Sequence, residues 1–299
     1  MQPTRPNTPP DSPAWRVIHH PGMLLLLSIP LIFACAIASS AIGRALKASH
    51  VEGSAIITAV IGAAIFFGAY WAFVRLVERR PVDEFDFRRA PAELAIGIAG
   101  GVAILTAIVG IMATLGAYRV IGYNGPGILG LPLAIGIFPG FSEEIALRGL
   151  FFRLLERWLG SWAALTLSAF FFGFGHIFNP GATWIAAVGI AFEAGILLAA
   201  LYMITRRLWM AVGLHAAWNF AEGGIYGTPV SGLQISGLLR PWIGGSDLLT
   251  GGSFGPEASL PAMGVATAVG LVLLYVAWRR DRFIAPSWVR RRQGVGEQL

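Results

Sequence analysis

Cysteine and charged residues are both scarce in this chain. Cys35 is the only cysteine, so the chain cannot form an internal disulfide and does not belong with the small folds that disulfides hold together. Only 13% of its 299 residues are charged, whereas ordinary soluble domains carry about 25%. Such a chain cannot present a polar surface on all sides, which excludes an ordinary water-soluble domain.

Long apolar runs take the place of the missing charge. Hydrophobic residues make up 56% of the chain, and its mean hydropathy is +0.67. A helix that crosses a hydrocarbon core of about 30 Å needs roughly 20 residues. The sequence therefore predicts an all-α, polytopic membrane helix bundle of about eight transmembrane helices. The predicted spans are 23–43, 55–78, 93–118, 127–158, 162–178, 184–204, 208–224 and 260–278.

The basic residues predict how the bundle is oriented. Loops that stay on the cytoplasmic side collect Lys and Arg. With the N-terminus inside, sixteen arginines fall on inner segments, and the outer loops hold only Arg44, Lys47, Arg119 and Arg240. We therefore expect a multi-pass protein of a bacterial plasma membrane with both termini cytoplasmic. The net charge of +6 is explained by this topology and gives no reason to expect a nucleic-acid partner.

The predicted organisation has three parts. Residues 1–22 form a Pro-rich, disordered cytoplasmic tail, residues 23–278 the membrane-embedded bundle, and residues 279–299 a basic cytoplasmic tail. Arginines near an anionic inner leaflet gain about 1 kcal/mol each, so we expect the basic tail to lie on that surface. The loop at about 224–260 is rich in Gly, Pro and Ser, which predicts an irregular outer loop lying across the top of the bundle.

The fourth span is too long for one membrane helix. Residues 127–158 as a single helix would measure about 48 Å. We predict a break near Pro139-Gly140, because proline removes a helical hydrogen bond. Ser142 would then act as the N-cap of the second piece, with Glu143 in its first turn.

Polar residues inside these spans form three constellations, since a charge within a bilayer costs at least about 2.5 kcal/mol and is rarely kept without a use. In the first, Glu144 and Arg148 stand four residues apart on one helix face, which predicts an ion pair. Glu143 points about 100° away and is free to act as a general base. The alternative for this constellation is an ion pair that only holds a helix in place.

The second and third constellations are Phe172 with His176, and His215 with Asn219. Phe172 lies one turn before His176 and could fix its ring. His215 and Asn219 share a helix face and are of the types that donate to an oxyanion. The alternatives are a packed histidine and a polar pair that bridges two helices.

Counting along the helices places these groups at comparable depths. Glu143 and His176 lie about 21 and 22 Å from the inner interface, and His215 and Asn219 about 12 and 18 Å. One shared pocket is therefore geometrically permitted. Glu193 is a further acid within an apolar span; it either lines the cavity or neutralises a basic group, and it stays outside the predicted catalytic set.

The three motifs together resemble a known family. Glu-Glu-x-x-x-Arg, Phe-x-x-x-His and His-x-x-x-Asn, in this order on successive spans, are similar to the motifs of the CPBP intramembrane endopeptidases. That family includes the CAAX prenyl proteases and bacteriocin-processing and immunity proteins. The likeness covers about residues 127–222, the predicted protease core.

The resemblance implies a role for each motif residue. Glu143 and His176 would activate a water molecule, and His215 and Asn219 would stabilise the tetrahedral oxyanion. Glu144, Arg148 and Phe172 would support the site. The implied reaction is hydrolysis of a peptide bond in a membrane-associated or prenylated, CAAX-type substrate.

Two mechanisms remain open at this point. Glu143, His176 and His215 form a two-histidine, one-carboxylate set that could hold zinc with one open position. No His-Glu-x-x-His motif is present, and Asn219 suits an oxyanion donor better than a ligand, so we favour a glutamate-type mechanism without a cofactor.

Other functional classes must also be weighed. A membrane transporter or channel could use the same polar residues to bind an ion or solute at the midplane. The sequence shows no internal repeat of the kind many transporters have. A catalytically inactive scaffold is the third alternative, and the complete set of polar groups argues against it.

Overall fold

The computed structural model describes residues 12–293, and its regular structure is almost entirely helical. A single two-stranded antiparallel sheet in the described part joins β1, Tyr118–Tyr123, to β2, Leu239–Ile243. The α-helices are α1 Pro13–Ile18, α2 Pro21–Ala48, α3 Ser54–Ala72, α4 Ala90–Thr114, α5 Gly130–Glu144, α6 Arg153–Leu159, α7 Ser161–Gly175, α8 Trp184–Ile190, α9 Ile196–Thr205, α10 Trp209–Phe220, α11 Asp247–Thr250, α12 Leu260–Arg279 and α13 Ser287–Arg292.

Four π-helical segments interrupt or extend these helices. In a π-helix each backbone N–H bonds one residue further back than in an α-helix, and such segments are frequent at functional sites. One of them joins α5 to α6 and another joins α8 to α9. The four segments are Phe73–Val77, Ile145–Phe152, Ala191–Gly195 and Ala221–Ile225.

Seven of the helical runs in residues 12–293 are long and apolar enough to cross a membrane. The all-α polytopic fold is therefore confirmed, but the predicted count of eight spans is not. The segment predicted at 208–224 forms the 12-residue helix α10 and its 5-residue π extension, which is shorter than the others. The seven runs are Pro21–Ala48, Ser54–Val77, Ala90–Thr114, Pro126–Leu159, Ser161–Phe178, Trp184–Thr205 and Leu260–Arg279.

The tail predicted to be disordered over residues 1–22 contains a short helix instead. The backbone N–H of Trp15 donates to the Ser12 hydroxyl at 3.2 Å, and Pro13 occupies the first turn of α1. A side-chain cap and a proline at the first helical position both favour a helix start. Residues 1–11, and residues 294–299 of the predicted basic tail, lie outside the described part of the chain.

The predicted break at Pro139-Gly140 is wrong. Helix α5 continues through Pro139 to Glu144, where the π segment begins, so the irregularity lies five residues later than expected. Ser142 is not an N-cap, since its hydroxyl donates to the Phe138 carbonyl within the same helix at 2.7 Å.

A neighbouring helix explains why proline does not break α5. Proline has no N–H, so the Ile135 carbonyl loses its usual helical donor. The side-chain amide of Asn219, on α10, donates to that carbonyl at 3.4 Å. Prolines are tolerated in membrane helices when neighbouring groups bond the freed carbonyl in this way.

Helix α10 packs between α4 and α5, and its backbone comes very close to glycines of both helices. A Cβ added to Gly97 would lie 2.3 Å from the Met210 carbonyl oxygen, and one added to Gly101 would lie 2.4 Å from the Leu214 carbonyl oxygen. On the α5 side, a Cβ at Gly140 would meet Ala216 at 2.9 Å. Small residues allow such close backbone approach in membrane proteins, and here they fix the helix that carries His215.

One end of the bundle carries a dense set of ion pairs. Arg153 pairs with Glu78 at 2.5 Å, and Arg207 pairs with Glu93. Both described ends of the chain lie here, since Arg290 donates to the Arg157 carbonyl at 2.8 Å and α2 begins beside the C-terminal end of α6. The arginines that indicated an inner surface are thus clustered at one end, and the side of the membrane that this end faces stays a prediction.

Candidate active site

One cavity of about 130 Å³ brings together the four residues predicted to be catalytic: Glu143, His176, His215 and Asn219. They come from α5, from the end of α7 and from α10. The loop at about 224–260 covers the cavity, since Val230 belongs to its lining. The structure therefore collects three motifs that are far apart in the sequence into a single site.

Glu144 connects two of these helices. It is fully buried, and its Oε1 accepts a hydrogen bond from Arg148 Nη1 at 2.8 Å and another from His215 Nδ1 at 2.9 Å. The predicted pairing of Glu144 with Arg148 is present. The bond to His215 also makes that residue a bridge between α10 and α5, so the alternative of a helix-bridging pair holds for His215 alongside its place in the cavity.

Arg148 satisfies a backbone carbonyl that the π segment exposes. Its Nη2 donates to the Ala194 carbonyl at 3.1 Å, within Ala191–Gly195. Its guanidinium carbon lies 4.5 Å from the centroid of the Phe172 ring, a cation–π arrangement. Because Arg148 is buried, these contacts replace the hydration that it would have in water.

Glu143 behaves differently from its neighbour Glu144. Its side chain is 37% exposed and lies beside the cavity, with Oε2 3.9 Å from His215 Nε2. The separation of the two acids agrees with the 100° rotation between consecutive helical residues. One carboxylate is therefore held in the structure, and the other is accessible to a bound molecule.

The hydrogen bond of His176 determines its tautomer. His176 Nδ1 lies 2.7 Å from the Phe172 carbonyl oxygen, and because a carbonyl only accepts, Nδ1 carries the proton. A neutral His176 then presents the lone pair of Nε2 to its surroundings. The Phe172 ring lies 5.0 Å from the His176 ring and 6.0 Å from the His215 ring, so Phe172 contacts both histidines as well as Arg148.

Asn219 lies one helical turn beyond His215 and lines the same cavity. Its Nδ2 carries two hydrogens, and one of them makes the long bond to the Ile135 carbonyl. The other is available to a ligand. The same hydrogen bond therefore satisfies the carbonyl that Pro139 leaves without a donor and orients the Asn219 side chain.

The zinc alternative can be compared with this geometry. Glu143, His176 and His215 line one cavity, yet within residues 12–293 no three His, Cys, Asp or Glu side chains are grouped as a metal site requires. His215 also uses Nδ1 to bond Glu144, which leaves Nε2 as its remaining nitrogen.

Three further acids at or beside the cavity were not assigned by the sequence. Glu193 lines the cavity, which is the first of the two roles considered for it. Glu257, from the loop at about 224–260, lines the cavity as well, and the carboxyl of Glu222 lies next to that of Glu257. Glu193 and Glu222 could have been noticed as acids in apolar segments, but nothing in the sequence brings Glu257 to them.

Comparison with known proteins agrees with the motifs. Residues 125–221 match the family model described as Rce1-like, type II CAAX prenyl endopeptidase Rce1-like. The matched segment contains all seven motif residues, from Glu143 to Asn219, and confirms the resemblance noted from the sequence. No match to the chain was found among curated proteins or among solved structures. Over residues 125–221, this multi-pass membrane protein is therefore similar to the Rce1-like family of type II CAAX prenyl endopeptidases.

Proposed function

We propose that this protein is an intramembrane endopeptidase that hydrolyses a peptide bond in a membrane-associated or prenylated, CAAX-type peptide or protein. The single observation that carries the proposal is the cavity that Glu143, His176, His215 and Asn219 line together inside the family domain. The alternative of a transporter or channel is not favoured, because the family match points to a protease.

In the proposed first step, Glu143 and His176 activate a water molecule. The His176 tautomer offers an unprotonated Nε2 to a water proton, and the exposed Glu143 carboxylate accepts a proton as the water attacks the scissile carbonyl carbon. When the C–N bond of the tetrahedral intermediate breaks, the same proton passes to the departing amine. Each proton taken from water is thereby returned to a product.

In the same step, His215 and Asn219 stabilise the oxyanion. His215 already donates from Nδ1 to Glu144, so it can donate to the oxyanion from Nε2 only as the imidazolium. The imidazolium would lie between two carboxylates, with Glu144 2.9 Å from Nδ1 and Glu143 3.9 Å from Nε2, and such pairing is what a buried charge requires. The second N–H of the Asn219 amide provides the other donor.

Glu144, Arg148 and Phe172 are proposed to position these groups rather than to react. Glu144 fixes the ring of His215, Arg148 fixes Glu144, and Phe172 packs against both histidines. No cofactor is required for the glutamate-type mechanism. If zinc is present, Glu143, His176 and His215 are the residues to hold it, and the test below measures it.

The decisive experiment is cleavage of a fluorogenic prenyl-peptide by protein reconstituted in liposomes. We expect Glu143→Ala and His176→Ala each to abolish cleavage while folding is retained. Glu52→Gln, which removes an exposed acid from the loop between α2 and α3, is the matched control and should leave cleavage unchanged. Retained cleavage in folded Glu143→Ala would refute the role of that residue, and stoichiometric zinc that is lost on mutation would refute the metal-free mechanism.

We also propose that both termini face the cytoplasm of a bacterial cell and that the arginine-rich end of the bundle meets the anionic inner leaflet. The lone, buried Cys35 makes this easy to test, because Cys35→Ala removes every thiol from the chain. A single cysteine placed at Glu52 should react with a membrane-impermeant maleimide from outside the cell, and one placed at Asp83 should not. The reverse labelling pattern would overturn the orientation.

A further inference from the structure

The cavity contains more acidic side chains than peptide hydrolysis uses. Besides Glu143, its lining includes Glu193 and Glu257, and no lysine or arginine is among its lining residues. Glu193 is 1% exposed, and its Oε2 has no hydrogen-bond partner within residues 12–293. A buried carboxylate oxygen without a partner is costly, and its position on a cavity wall indicates that a ligand supplies the missing donor.

Two neighbouring acids extend this acidic wall. The Glu257 carboxylate accepts hydrogen bonds from the backbone N–H of Ser231 at 3.0 Å and from the Ser231 hydroxyl at 2.6 Å, which hold it in place. Glu222 is fully buried beside Glu257. Glu193 adds a third carboxyl group to the same wall.

The shape and the apolar part of the wall fit an amphipathic cation. Ile190, Leu197, Leu198 and Trp218 line the cavity next to the acids. Lysine and arginine side chains have the same division, an apolar stem and a charged end. An engineered cavity of about 150 Å³ holds a benzene molecule, so a cavity of about 130 Å³ can hold an ammonium or guanidinium group with part of its stem. A bare metal ion fits less well, because no three ligating side chains among residues 12–293 are grouped around one point.

We propose that Glu193 and Glu257, supported by Glu222, form a subsite for a positively charged side chain of the substrate, a lysine or arginine close to the cleaved bond. This inference rests on the proposed function for the location of the cleaved bond, because the same cavity contains Glu143 and His176. Glu193 and Glu257 are specificity residues in this view and take no part in proton transfer.

The test compares matched prenyl-peptides that carry lysine or the uncharged isostere norleucine at each of the three positions on either side of the cleaved bond. Binding is measured first, by fluorescence anisotropy in nanodiscs, in a Glu143→Gln background that prevents turnover. We expect lysine at one of these positions to tighten binding about tenfold or more, as close buried charge pairs do. Added Glu193→Gln or Glu257→Gln should bring the lysine-to-norleucine ratio close to one, while norleucine-peptide binding stays unchanged and shows that the variants are folded.

Glu52→Gln is the control for a general effect of surface charge and should keep the full preference. Equal binding of the two peptides at every position would overturn the proposal, and so would a lysine preference that survives both Gln variants. A divalent cation bound stoichiometrically and lost in Glu193→Gln, without a lysine preference, would overturn it as well. If the wild type shows the binding preference but cleaves no peptide, the proposed protease function fails and the subsite stands.

Discussion

Substituting Gly101 by alanine should displace the helix that carries half of the candidate site. The added Cβ would lie 2.4 Å from the Leu214 carbonyl oxygen and 3.0 Å from the Trp218 backbone nitrogen. Both of these atoms belong to backbone and cannot rotate away. Restoring an ordinary contact requires α10 to move by about 1 Å relative to α4. A displacement of that size at a catalytic group can lower the rate about 10²-fold.

Gly110, which also lies on α4, offers a control variant with the opposite expected effect on stability. A Cβ on Gly110 would meet no atom within 4 Å, and alanine is a better helix former than glycine by about 1 kcal/mol. Gly110→Ala should therefore leave activity unchanged and raise the free energy of unfolding slightly, whereas Gly101→Ala should lower both activity and stability. The assays are prenyl-peptide cleavage in liposomes and unfolding followed by circular dichroism in detergent. Equal activity and stability of the two variants would refute the argument that glycine contact positions α10.

Three further predictions follow from the buried polar groups. Arg148→Met should destabilise the protein by about 3–5 kcal/mol, because Glu144 keeps only one of its two partners in a buried site; a loss below about 1 kcal/mol in detergent unfolding would contradict this. Burial alone would raise the pKa of Glu78, but Arg153 beside it lowers the pKa to about 2. This folded-state pKa lies below the usual value of 4.5, so Glu78 contributes about 3 kcal/mol above pH 4.5 that is lost as the pH falls towards 2. An unchanged acid-unfolding profile in Glu78→Gln would argue against this. Asn219→Ala should lower kcat about 10²–10³-fold through loss of an oxyanion donor, and an unchanged kcat would remove Asn219 from that role.

The fourth span shows where prediction from sequence succeeded and where it failed. Its length indicated that one regular α-helix would not fit, and the structure does contain an irregularity. Proline suggested the wrong position, because the carbonyl that Pro139 leaves free is bonded by Asn219, some 80 residues further along the chain. The irregularity lies instead in the π segment that begins after Glu144. A local rule for proline could not anticipate a donor from another helix.

The candidate site was likewise predicted only in part. The i,i+4 spacing correctly separated Glu144, bound to Arg148, from the accessible Glu143, because this separation depends only on helical geometry. The bond from His215 to Glu144 joins different helices and was not predicted. The proximity of Glu257 to Glu193 was not predicted either, since it depends on how the loop at about 224–260 folds over the cavity.

The sequence by itself therefore determined the membrane class, most of the spanning segments and the family motifs. The length of an apolar run, the arginines in a loop and the spacing of motif residues can each be read from a short segment. Each restricts the structure of that segment whatever it packs against. Only the tertiary structure decided that the four motif residues share one cavity and that additional acids lie on its wall. Those relations depend on close packing of helices from distant parts of the chain, where glycines leave no room for a Cβ, and no local pattern in the sequence encodes such packing.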